Sequence, residues 1–541
     1  MSRGYTLEGQ TPEERVRQIA DFAEKVLKRP GYSDKLYDYV SKGWVSFSTP
    51  VWANFGLGRG LPISCFGSYI ADDMSSIMYT HAENGMMSKY GGGTSGYFGA
   101  LRARGEEIKN NGTSNGPVHF MQMFETLIHV VSQGKVRRGS FSPYLPVEHP
   151  DVMEFLEIGT EGNAIQNMTH AVTVGDPWMQ SMIDGDEAKR KIWAKVIQRR
   201  GEIGYPYILF TDNANNNKPE VYKDKDMKIV ASNLCSEIML PSDENNSFVC
   251  CLSSMNLLHY DEWKDTDFVE TMVALLDAVL TDFCDRLEAL RDSEKRQDQQ
   301  AFLFMQRAYN FAKNHRAIGL GVLGWHSFLQ SKRIPFESPE ALKLNEEIWQ
   351  NLKAKGDEAS KQLAKEFGEP EVLKGYGRRN TTVFSIAPTT SSAFILGQVS
   401  QSIEPVWSNA YVKDVAKLKV TIKNPFLEDL LIEKGKNTKE VWASIRDHDG
   451  SVQHLDFLDD KDKEVFRTFP ELDQAIVIDQ AATRQKYIDQ GQSLNIMVPP
   501  NVSAKDINQL YLNAWKKGVK ALYYQHSMNA AQALTRQKLQ K

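Results

Sequence analysis

The residues best suited to chemistry in this sequence are its five cysteines, one of which has polar neighbours on both sides. In the segment Asn233–Glu237, Cys235 stands two residues after an amide and two residues before a carboxylate. An extended segment would project these three side chains to the same face, because side chains alternate along a strand. A thiol, a hydrogen-bonding group and a base would then share one pocket. Cys65, Cys250 and Cys251 can be grouped around this segment, which predicts sulfur chemistry.

Composition and charge exclude several classes of protein. Hydrophobic residues make up 41% of the chain and charged residues 25%, as in ordinary globular proteins. The net charge of -5 gives no electrostatic reason to expect nucleic acid or a membrane as a partner. Five unevenly spaced cysteines do not suit a secreted disulfide scaffold, the N-terminus has no apolar signal segment, and no run of about eighteen apolar residues occurs. We therefore expect a cytoplasmic protein.

Other motifs with known chemistry are absent or out of context. Gly319–Gly324 matches the dinucleotide fingerprint G-x-G-x-x-G, but the preceding residues 311–316 are not the strand that such a site requires. There is no C-x-x-C pair for structural zinc, and none of the eleven histidines follows an acidic residue by three positions, as in di-iron bundles. We therefore predict no metal site in this chain. A hydrolase with a cysteine nucleophile stays open, because its partner residues cannot be located from sequence.

Several elements that could position these groups have clear signals. A first helix opens at Thr11 with a capping box, and a long amphipathic helix covers Phe268–Leu290. Cys284 falls on the apolar stripe of that helix, so we predict that it packs in the core. Another helix follows the cap residue Ser338, and Thr381–Ala387 has the composition of a strand.

The last part of the chain predicts parallel strands. The strand-like segments Ser493–Val498 and Val519–Tyr524 flank a helix that is capped at Ser503 and stopped at Gly518. Three other segments, rich in glycine or hydroxyl residues, could bind phosphate. The alternatives are that the glycine-rich segments are exposed turns with solvated charges, and that the hydroxyl residues simply cap the start of a helix. The three segments are Tyr90–Gly96, Gln133–Ser140 and Pro388–Ser392.

Four motifs, in this order, resemble the catalytic subunit of a class I ribonucleotide reductase. They are Asn233–Glu237, the segment VCCLSSMNL that includes Cys250, the segment APTTSSAF followed by SIEP at Ser402–Pro405, and Leu522–Gln525. The resemblance spans roughly residues 44–525. It implies a ten-stranded α/β barrel of two half-barrels, with a central finger loop that carries the active cysteine and a short helical region before it.

The resemblance also implies an organisation of the chain. Residues 1–43 would be the helical segment, 44–530 the catalytic barrel and 531–541 a tail. The polar and charged composition of residues 408–485 itself predicts a surface insertion.

The resemblance implies distinct roles for the residues around Cys235. Cys235 would carry the thiyl radical that abstracts the ribose 3′ hydrogen, Glu237 would be the base on the 3′ hydroxyl, and Asn233 would be a hydrogen-bonding partner. Cys65 and Cys250 would supply the reducing electrons and end each turnover as a disulfide. The spacing to the following residues favours Cys250, although the adjacent Cys251 could take part.

Other residues resemble the binding and radical-transfer elements of the family. Tyr523 and Tyr524 resemble a stacked pair that passes a radical to the active cysteine, which requires the chain to leave regular strand geometry there. Residues similar to those that bind the substrate diphosphate are Thr49, Ser64, Pro388, Thr389, Thr390, Ser391 and Ser392. Residues similar to those of the effector site are Asp72, Ser75, Lys109, Gln133 and Arg137, with Ser75 standing where many members have an aspartate.

The implied partners lie outside this chain. They are a metal-containing radical-generating beta subunit, a nucleoside diphosphate substrate, and an external dithiol reductant of the thioredoxin or glutaredoxin type; deoxynucleoside triphosphates or ATP would be specificity effectors, and a homodimer is an option. Too little chain precedes Trp44 for an ATP-cone domain, and no cysteine follows Cys284 to form the usual C-terminal pair. The alternatives are an adenosylcobalamin-dependent enzyme of the same fold and a nucleotide-binding regulatory protein without activity.

Overall fold

The computed structural model describes residues 4–131, 133, 138–415, 418–499 and 501–527. The β-strands, in chain order, are β1 Val45–Phe47, β2 Cys65–Tyr69, β3 Gly93–Tyr97, β4 Phe141–Pro146, β5 Ala171–Val174, β6 Tyr207–Phe210, β7 Phe248–Asn256, β8 Ile318–Leu323, β9 Ala410–Val415, β10 Leu418–Lys423, β11 Ile496–Val498, β12 Ala521–Leu522 and β13 Gln525–Ser527.

The α-helices, in chain order, are α1 Pro12–Leu27, α2 Tyr32–Ser41, α3 Thr49–Asn54, α4 Met74–Lys89, α5 Pro117–Val130, α6 Val152–Phe155, α7 Asp176–Ile183, α8 Glu187–Ile203, α9 Thr211–Asn216, α10 Glu220–Asp224, α11 Tyr260–Trp263, α12 Phe268–Arg291, α13 Arg296–His315, α14 Trp325–Ser331, α15 Pro339–Phe367, α16 Thr390–Ile395, α17 Pro425–Glu433, α18 Lys439–Asp447, α19 Asp460–Val465, α20 Gln474–Gln485 and α21 Ala504–Lys516. Short 3-10 helices cover Leu257–His259, Glu371–Leu373 and Phe469–Glu471.

The strands form a barrel from two sets of parallel strands. In the first set, β2, β3, β4, β5 and β6 pair in that order. In the second set, β7 pairs with β8, single bridges join Leu320 to Phe384 and Ile386 to Gln492, and β11 pairs with β13. The two sets meet antiparallel at both seams, β2 with β7 and β6 with β12. The predicted α/β barrel of two half-barrels is confirmed.

Burial on both faces explains the composition of the barrel strands. All nine positions of β7 are buried, as expected of a strand that has helices on one face and a filled barrel on the other. The predicted helices are present: α1 has the capping box at Thr11, α12 begins at Phe268, and α15 is capped by Ser338. Cys284 on α12 is buried in the core, as predicted. The N-terminal helices join the same core, where the Tyr32 hydroxyl donates to the carbonyl of Thr271 at 2.6 Å.

Two predicted strands differ in the structure. The segment Asn233–Glu237 is a turn, because Ser236 adopts a left-handed φ of 64° that reverses the chain. The segment Thr381–Ala387 makes only isolated bridges, from Phe384 to Leu320 and from Ile386 to Gln492. The fingerprint glycines Gly319 and Gly321 lie inside β8, which removes the dinucleotide site that their spacing suggested.

Residues 408–466 pack around an apolar cluster of their own. Its members come from the β9 hairpin, α17, α18 and the segments that follow, and include Leu427, Leu431, Trp442, Ile445 and Phe466. The next helix, α20, packs instead with α15 and α21 of the barrel. Residues 531–541 lie outside the described part of the chain. Within the described residues, no helix is long and apolar enough to cross a membrane.

Candidate active site

A loop of residues 229–240 runs through the interior of the barrel and is held by both halves. We call it the finger loop. Hydroxyl groups and amides on the surrounding strands bind its backbone, so its position does not depend on its own secondary structure. The contacts are Ser95 Oγ to the Ser232 carbonyl (2.9 Å), Tyr144 Oη to the Asn233 carbonyl (2.6 Å), Ser385 Oγ and the Gly491 amide to the Glu237 carbonyl (2.7 and 2.9 Å), and the Met239 amide to Gln490 Oε1 (3.0 Å).

The side chain of Asn233 closes the turn that presents Cys235. Its Oδ1 accepts hydrogen bonds from the amides of Glu237 at 3.1 Å and Ile238 at 3.2 Å. Its Nδ2 donates to Cys65 Sγ at 3.3 Å. Asn233, Cys235 and Glu237 were predicted to share one face of an extended strand, but a turn brings them together instead. The amide links the finger loop to a thiol on β2.

Two thiols face each other across the seam of the barrel. Cys65 on β2 is the direct register partner of Cys250 on β7. Residues opposite one another on antiparallel strands have Cβ atoms about 4.5–5.5 Å apart, close to the separation of about 3.5–4.5 Å in a disulfide. Cys251 points the other way, and its Sγ donates to the carbonyl of Leu276 on α12 at 3.3 Å. Strand alternation therefore separates the adjacent thiols, and only Cys250 faces Cys65.

Burial keeps the Cys250 thiol protonated at neutral pH. Desolvation raises the pKa of Cys250 well above its ordinary value, and the neighbouring Cys251 raises it further. A hydrogen bond from Gln490 Nε2 to Cys250 Sγ, 3.4 Å long, acts in the opposite direction. The Cys250 thiol is thus suited to donate a hydrogen atom or a proton.

A tyrosine pair connects Cys235 to the rim of the barrel. The hydroxyl of Tyr523 donates to Cys235 Sγ at 3.5 Å, and the ring centroids of Tyr523 and Tyr524 are 4.7 Å apart. Both residues lie between β12 and β13, outside regular strand geometry. Their rings were predicted to stack, but they meet edge to face at an interplanar angle of 63°. Tyr207 on β6 also packs against Tyr523, with centroids 4.6 Å apart. Burial raises the pKa of Tyr523 well above its usual value, so its phenol is neutral.

The carboxylate of Glu237 is buried beside Cys235. The hydroxyl of Ser493 lies 3.2 Å from Glu237 Oε2 and 2.6 Å from the Cys235 carbonyl oxygen. Only 1% of Glu237 is exposed. A buried carboxylate in this position can exchange a proton with a bound hydroxyl group.

The residues predicted to bind a diphosphate lie at one end of the barrel. Thr49 begins α3 directly after β1, and α16, which starts within the Pro388–Ser392 segment, packs beside β1. Thr389 has a left-handed φ of 57°, and its hydroxyl accepts from the Ser402 amide at 2.8 Å. Ser64 is buried immediately before β2. Thr390 and Ser391 are exposed at this end.

The predicted effector residues are spread over a wider surface. Asp72 forms an ion pair with Arg102 at 2.9 Å, just before the start of α4, where Ser75 is exposed. Lys109 is exposed in a neighbouring turn. Gln133 instead points inward, where its Nε2 donates to Asn54 Oδ1 at 2.9 Å. Arg137 lies outside the described residues.

Sequence reasoning missed the polar groups that hold the finger loop. Ser95, Tyr144, Ser385, Gln490 and Ser493 come from strands or bridging segments far apart in sequence, and each is recognisable only once the barrel is closed. Their one signal is a polar side chain inside an otherwise apolar, strand-like segment. In the described part of the chain, no cluster of three or more histidine, cysteine or acidic residues could hold a metal ion.

Comparison with known proteins agrees with this geometry. The family model of the ribonucleotide reductase barrel domain matches residues 63–189, 183–372 and 370–525. The structure of an Actinobacillus ureae class Id ribonucleotide reductase alpha subunit superimposes with a TM-score of 0.90 at 55% sequence identity, covering 98% of this chain and 96% of that one.

Viral sequences show the same relationship. A Frog virus 3 (isolate Goorha) sequence assigned to ribonucleoside-diphosphate reductase large subunits is 37% identical over 92% of this chain and 88% of its own length. The ribonucleoside-diphosphate reductase large subunit of Invertebrate iridescent virus 3 is 31% identical over 91% of this chain and 87% of its own. The chain therefore belongs to the large (alpha) subunits of the class I ribonucleotide reductases.

Proposed function

We propose that this chain reduces ribonucleoside diphosphates to 2′-deoxyribonucleoside diphosphates by a thiyl radical on Cys235, with the radical supplied by a separate beta subunit. One observation carries the proposal. Inside one closed barrel, the Cys235 sulfur lies 3.5 Å from the Tyr523 hydroxyl, while Cys65 and Cys250 stand in register on neighbouring strands. A radical route and a two-electron reductant therefore meet at the same finger loop.

The side chains divide the reaction between them. The Cys235 thiyl takes the hydrogen atom from C3′, and Glu237 takes the proton of the 3′ hydroxyl. The 2′ hydroxyl leaves as water after it accepts a proton from the thiol pair, because loss of this group is easiest with a radical at C3′. Cys65 and Cys250 then give a hydrogen atom to C2′ and one electron to the 3′ carbonyl, which takes its proton back from Glu237, and the two sulfurs become a disulfide. Cys235 then returns its hydrogen atom to C3′ and is a thiyl again.

Radical transfer would begin at the rim of the barrel. The metal-containing beta subunit oxidises Tyr524, which takes an electron from Tyr523, which in turn oxidises the Cys235 thiol. Asn233 holds the loop and Cys65 in place during this transfer. An external dithiol of the thioredoxin or glutaredoxin type reduces the disulfide after each turnover.

Phosphate and effector recognition complete the proposal. Thr49, Ser64 and the Pro388–Ser392 segment would hold the substrate diphosphate at the end of the barrel where α16 meets β1. Asp72, Ser75, Lys109 and Arg137 would contribute to a site for a deoxynucleoside triphosphate or ATP, and Gln133 would support it from the inside through Asn54.

A reductase assay with dithiothreitol tests this function. We expect deoxynucleoside diphosphate formation to require both the chain and a radical-generating beta subunit, and to be abolished in Cys235→Ser. Cys284→Ser is the matched control, because Cys284 lies in the helical layer and should keep activity. Turnover with adenosylcobalamin in place of the subunit, or activity in Cys235→Ser, would contradict the proposal.

A further inference from the structure

The side chain of Gln490 joins the finger loop to the reducing thiol pair. It is fully buried, and its Oε1 accepts from the Met239 amide of the finger loop at 3.0 Å. Its Nε2 donates to Cys250 Sγ at 3.4 Å and also lies within hydrogen-bond distance of the Ile318 carbonyl and Thr382 Oγ1, at 3.1 and 2.9 Å. The two oxygens hold the amide in place, and the sulfur is the third acceptor for its two hydrogens.

The two sulfurs of the pair differ in access. Cys65 is 7% exposed, whereas Cys250 is fully buried. A reductant that attacks a Cys65 to Cys250 disulfide therefore reaches Cys65 first, and Cys250 is the sulfur that leaves. A thiolate leaves faster when its thiol has a lower pKa, but burial raises the pKa of Cys250. Some group must stabilise the negative charge in this desolvated position.

We propose that Gln490 is the residue that stabilises the departing Cys250 thiolate when the active-site disulfide is reduced. The inference rests on the proposed function, since it takes Cys65 and Cys250 as the redox pair. Hydrogen bonds to an ionised acceptor are stronger than those to a neutral one, so the contact from Nε2 strengthens as charge develops on Sγ. The same amide holds Met239, which keeps it fixed while the sulfur changes state.

An external dithiol reduces the disulfide in two exchange steps. A thiolate of an external dithiol attacks Cys65 Sγ, a bond forms between these two sulfurs, and the Cys65 to Cys250 bond breaks. Cys250 leaves with the electron pair as a thiolate that accepts the Gln490 hydrogen bond. The second thiol of the reductant then attacks the reductant sulfur that is bonded to Cys65, and Cys65 is released. The two protons of the dithiol end on Cys65 and Cys250, and the reductant becomes a disulfide.

The re-reduction rate can be measured without turnover. The full chain is oxidised with diamide, the Cys65 to Cys250 disulfide is identified by peptide mapping, and its loss is followed after addition of dithiothreitol. We expect Gln490→Met to slow this loss by about tenfold, because it removes a hydrogen bond to a charged group. Gln492→Met is the matched control. Gln492 is also buried, but its amide donates to Ala481 and Gln485 and touches no sulfur.

A second variant separates charge stabilisation from packing. Gln490→Glu keeps the size of the side chain and the acceptor for Met239. For the normal chain, the rate should rise with pH as more dithiothreitol becomes thiolate. In Gln490→Glu this rise should flatten or reverse, because a carboxylate repels the leaving thiolate whereas a protonated carboxyl donates to it. If Gln490→Met melts below the assay temperature, this pH profile decides the matter.

The outcomes distinguish the two proposals. If peptide mapping of the normal chain after one turnover finds no Cys65 to Cys250 disulfide, the proposed function fails. If that disulfide forms, and dithiothreitol reduces it in both Gln490 variants at the normal rate and with the normal pH profile, only the role of Gln490 is overturned.

Discussion

Cysteines occupy two different regions of this molecule, the interior of the barrel and the layer between the barrel and its helices. In the interior, each sulfur has a polar side chain against it: Asn233 on Cys65, Tyr523 on Cys235, and Gln490 on Cys250. In the helical layer, Cys251 bonds to a backbone carbonyl of α12, and Cys284 lies in the apolar core.

Burial alone does not separate the two regions. Cys250 and Cys251 are both fully buried and adjacent in sequence. Their difference comes from strand alternation, which turns one sulfur toward Cys65 and the other toward a helix. The polar neighbours, more than depth, therefore determine which thiols can take part in chemistry.

The strongest test of this comparison removes each of the two adjacent thiols separately. We expect Cys250→Ala to lower multiple turnover with dithiothreitol below detection, because Cys65 then has no partner for a disulfide. Cys251→Ala should keep turnover within about twofold and lower stability by about 1 kcal/mol, the usual range for a small buried change. The measurement is deoxynucleotide formed per chain over many turnovers, with thermal melting as the check on folding.

The opposite pattern would contradict the register. If Cys251→Ala stopped turnover and Cys250→Ala did not, the reducing partner of Cys65 would be the helix-facing thiol. Loss in both variants with normal melting would mean that the two thiols exchange during the reaction.

The residue types around Cys235 are a local signal of sulfur chemistry. The pairing of Cys65 with Cys250 and the irregular geometry at Tyr523 and Tyr524 were expected only from the resemblance of four motifs to a known family. The turn at Ser236 was missed because the pentapeptide has no glycine at its left-handed position, and residues other than glycine rarely adopt that conformation.

Contacts between distant segments explain the other misses. The segment 381–387 has strand composition, but Asp489 carboxylate oxygens bind the amides of Val383 and Phe384, so those amides are not free for a regular ladder. The polarity of residues 408–485 indicated an insertion, and no local signal showed that α17 and α18 bury a separate apolar cluster. Gln490 and Ser493 gain their contacts only when the second half of the barrel closes.

A second test compares two buried carboxylates, one in each region. Glu237 lies in the interior, whereas Glu83 on α4 accepts from Ser247 at 2.8 Å and from Arg307 at 3.1 Å outside it. We expect Glu237→Gln to lower kcat by about 10²–10⁴-fold, the usual contribution of a general base, without lowering the melting temperature. Glu83→Gln should leave Arg307 with an uncompensated charge and lower the free energy of unfolding by about 3 kcal/mol.

Activity per folded chain is the quantity that separates these variants. Measured well below the melting temperature, it should be normal for Glu83→Gln and low for Glu237→Gln. A Glu237→Gln enzyme with normal kcat would remove the carboxylate from the proposed proton transfer.

The third test uses no substitution and compares how fast each cysteine of the two regions reacts with iodoacetamide. Only a thiolate reacts with iodoacetamide, and burial raises the pKa of Cys284 to about 12, so this thiol stays protonated as the pH rises from 7 to 9. Cys251 has its pKa raised by burial in the same way. Cys235 is partly exposed in the barrel, so its labelling should appear first.

Peptide mapping after labelling, with and without urea, gives the result. We expect Cys235 to react in the native chain, Cys65 to react more slowly, and Cys250, Cys251 and Cys284 to react only after unfolding. Cys250 is as buried as Cys251, so it should be protected from iodoacetamide in the resting enzyme. As a member of the redox pair, it must nevertheless be oxidised during turnover. Native labelling of Cys251 or Cys284 ahead of Cys235 would mean that access to the sulfurs runs through the helical layer, and the distinction between the two regions would fail.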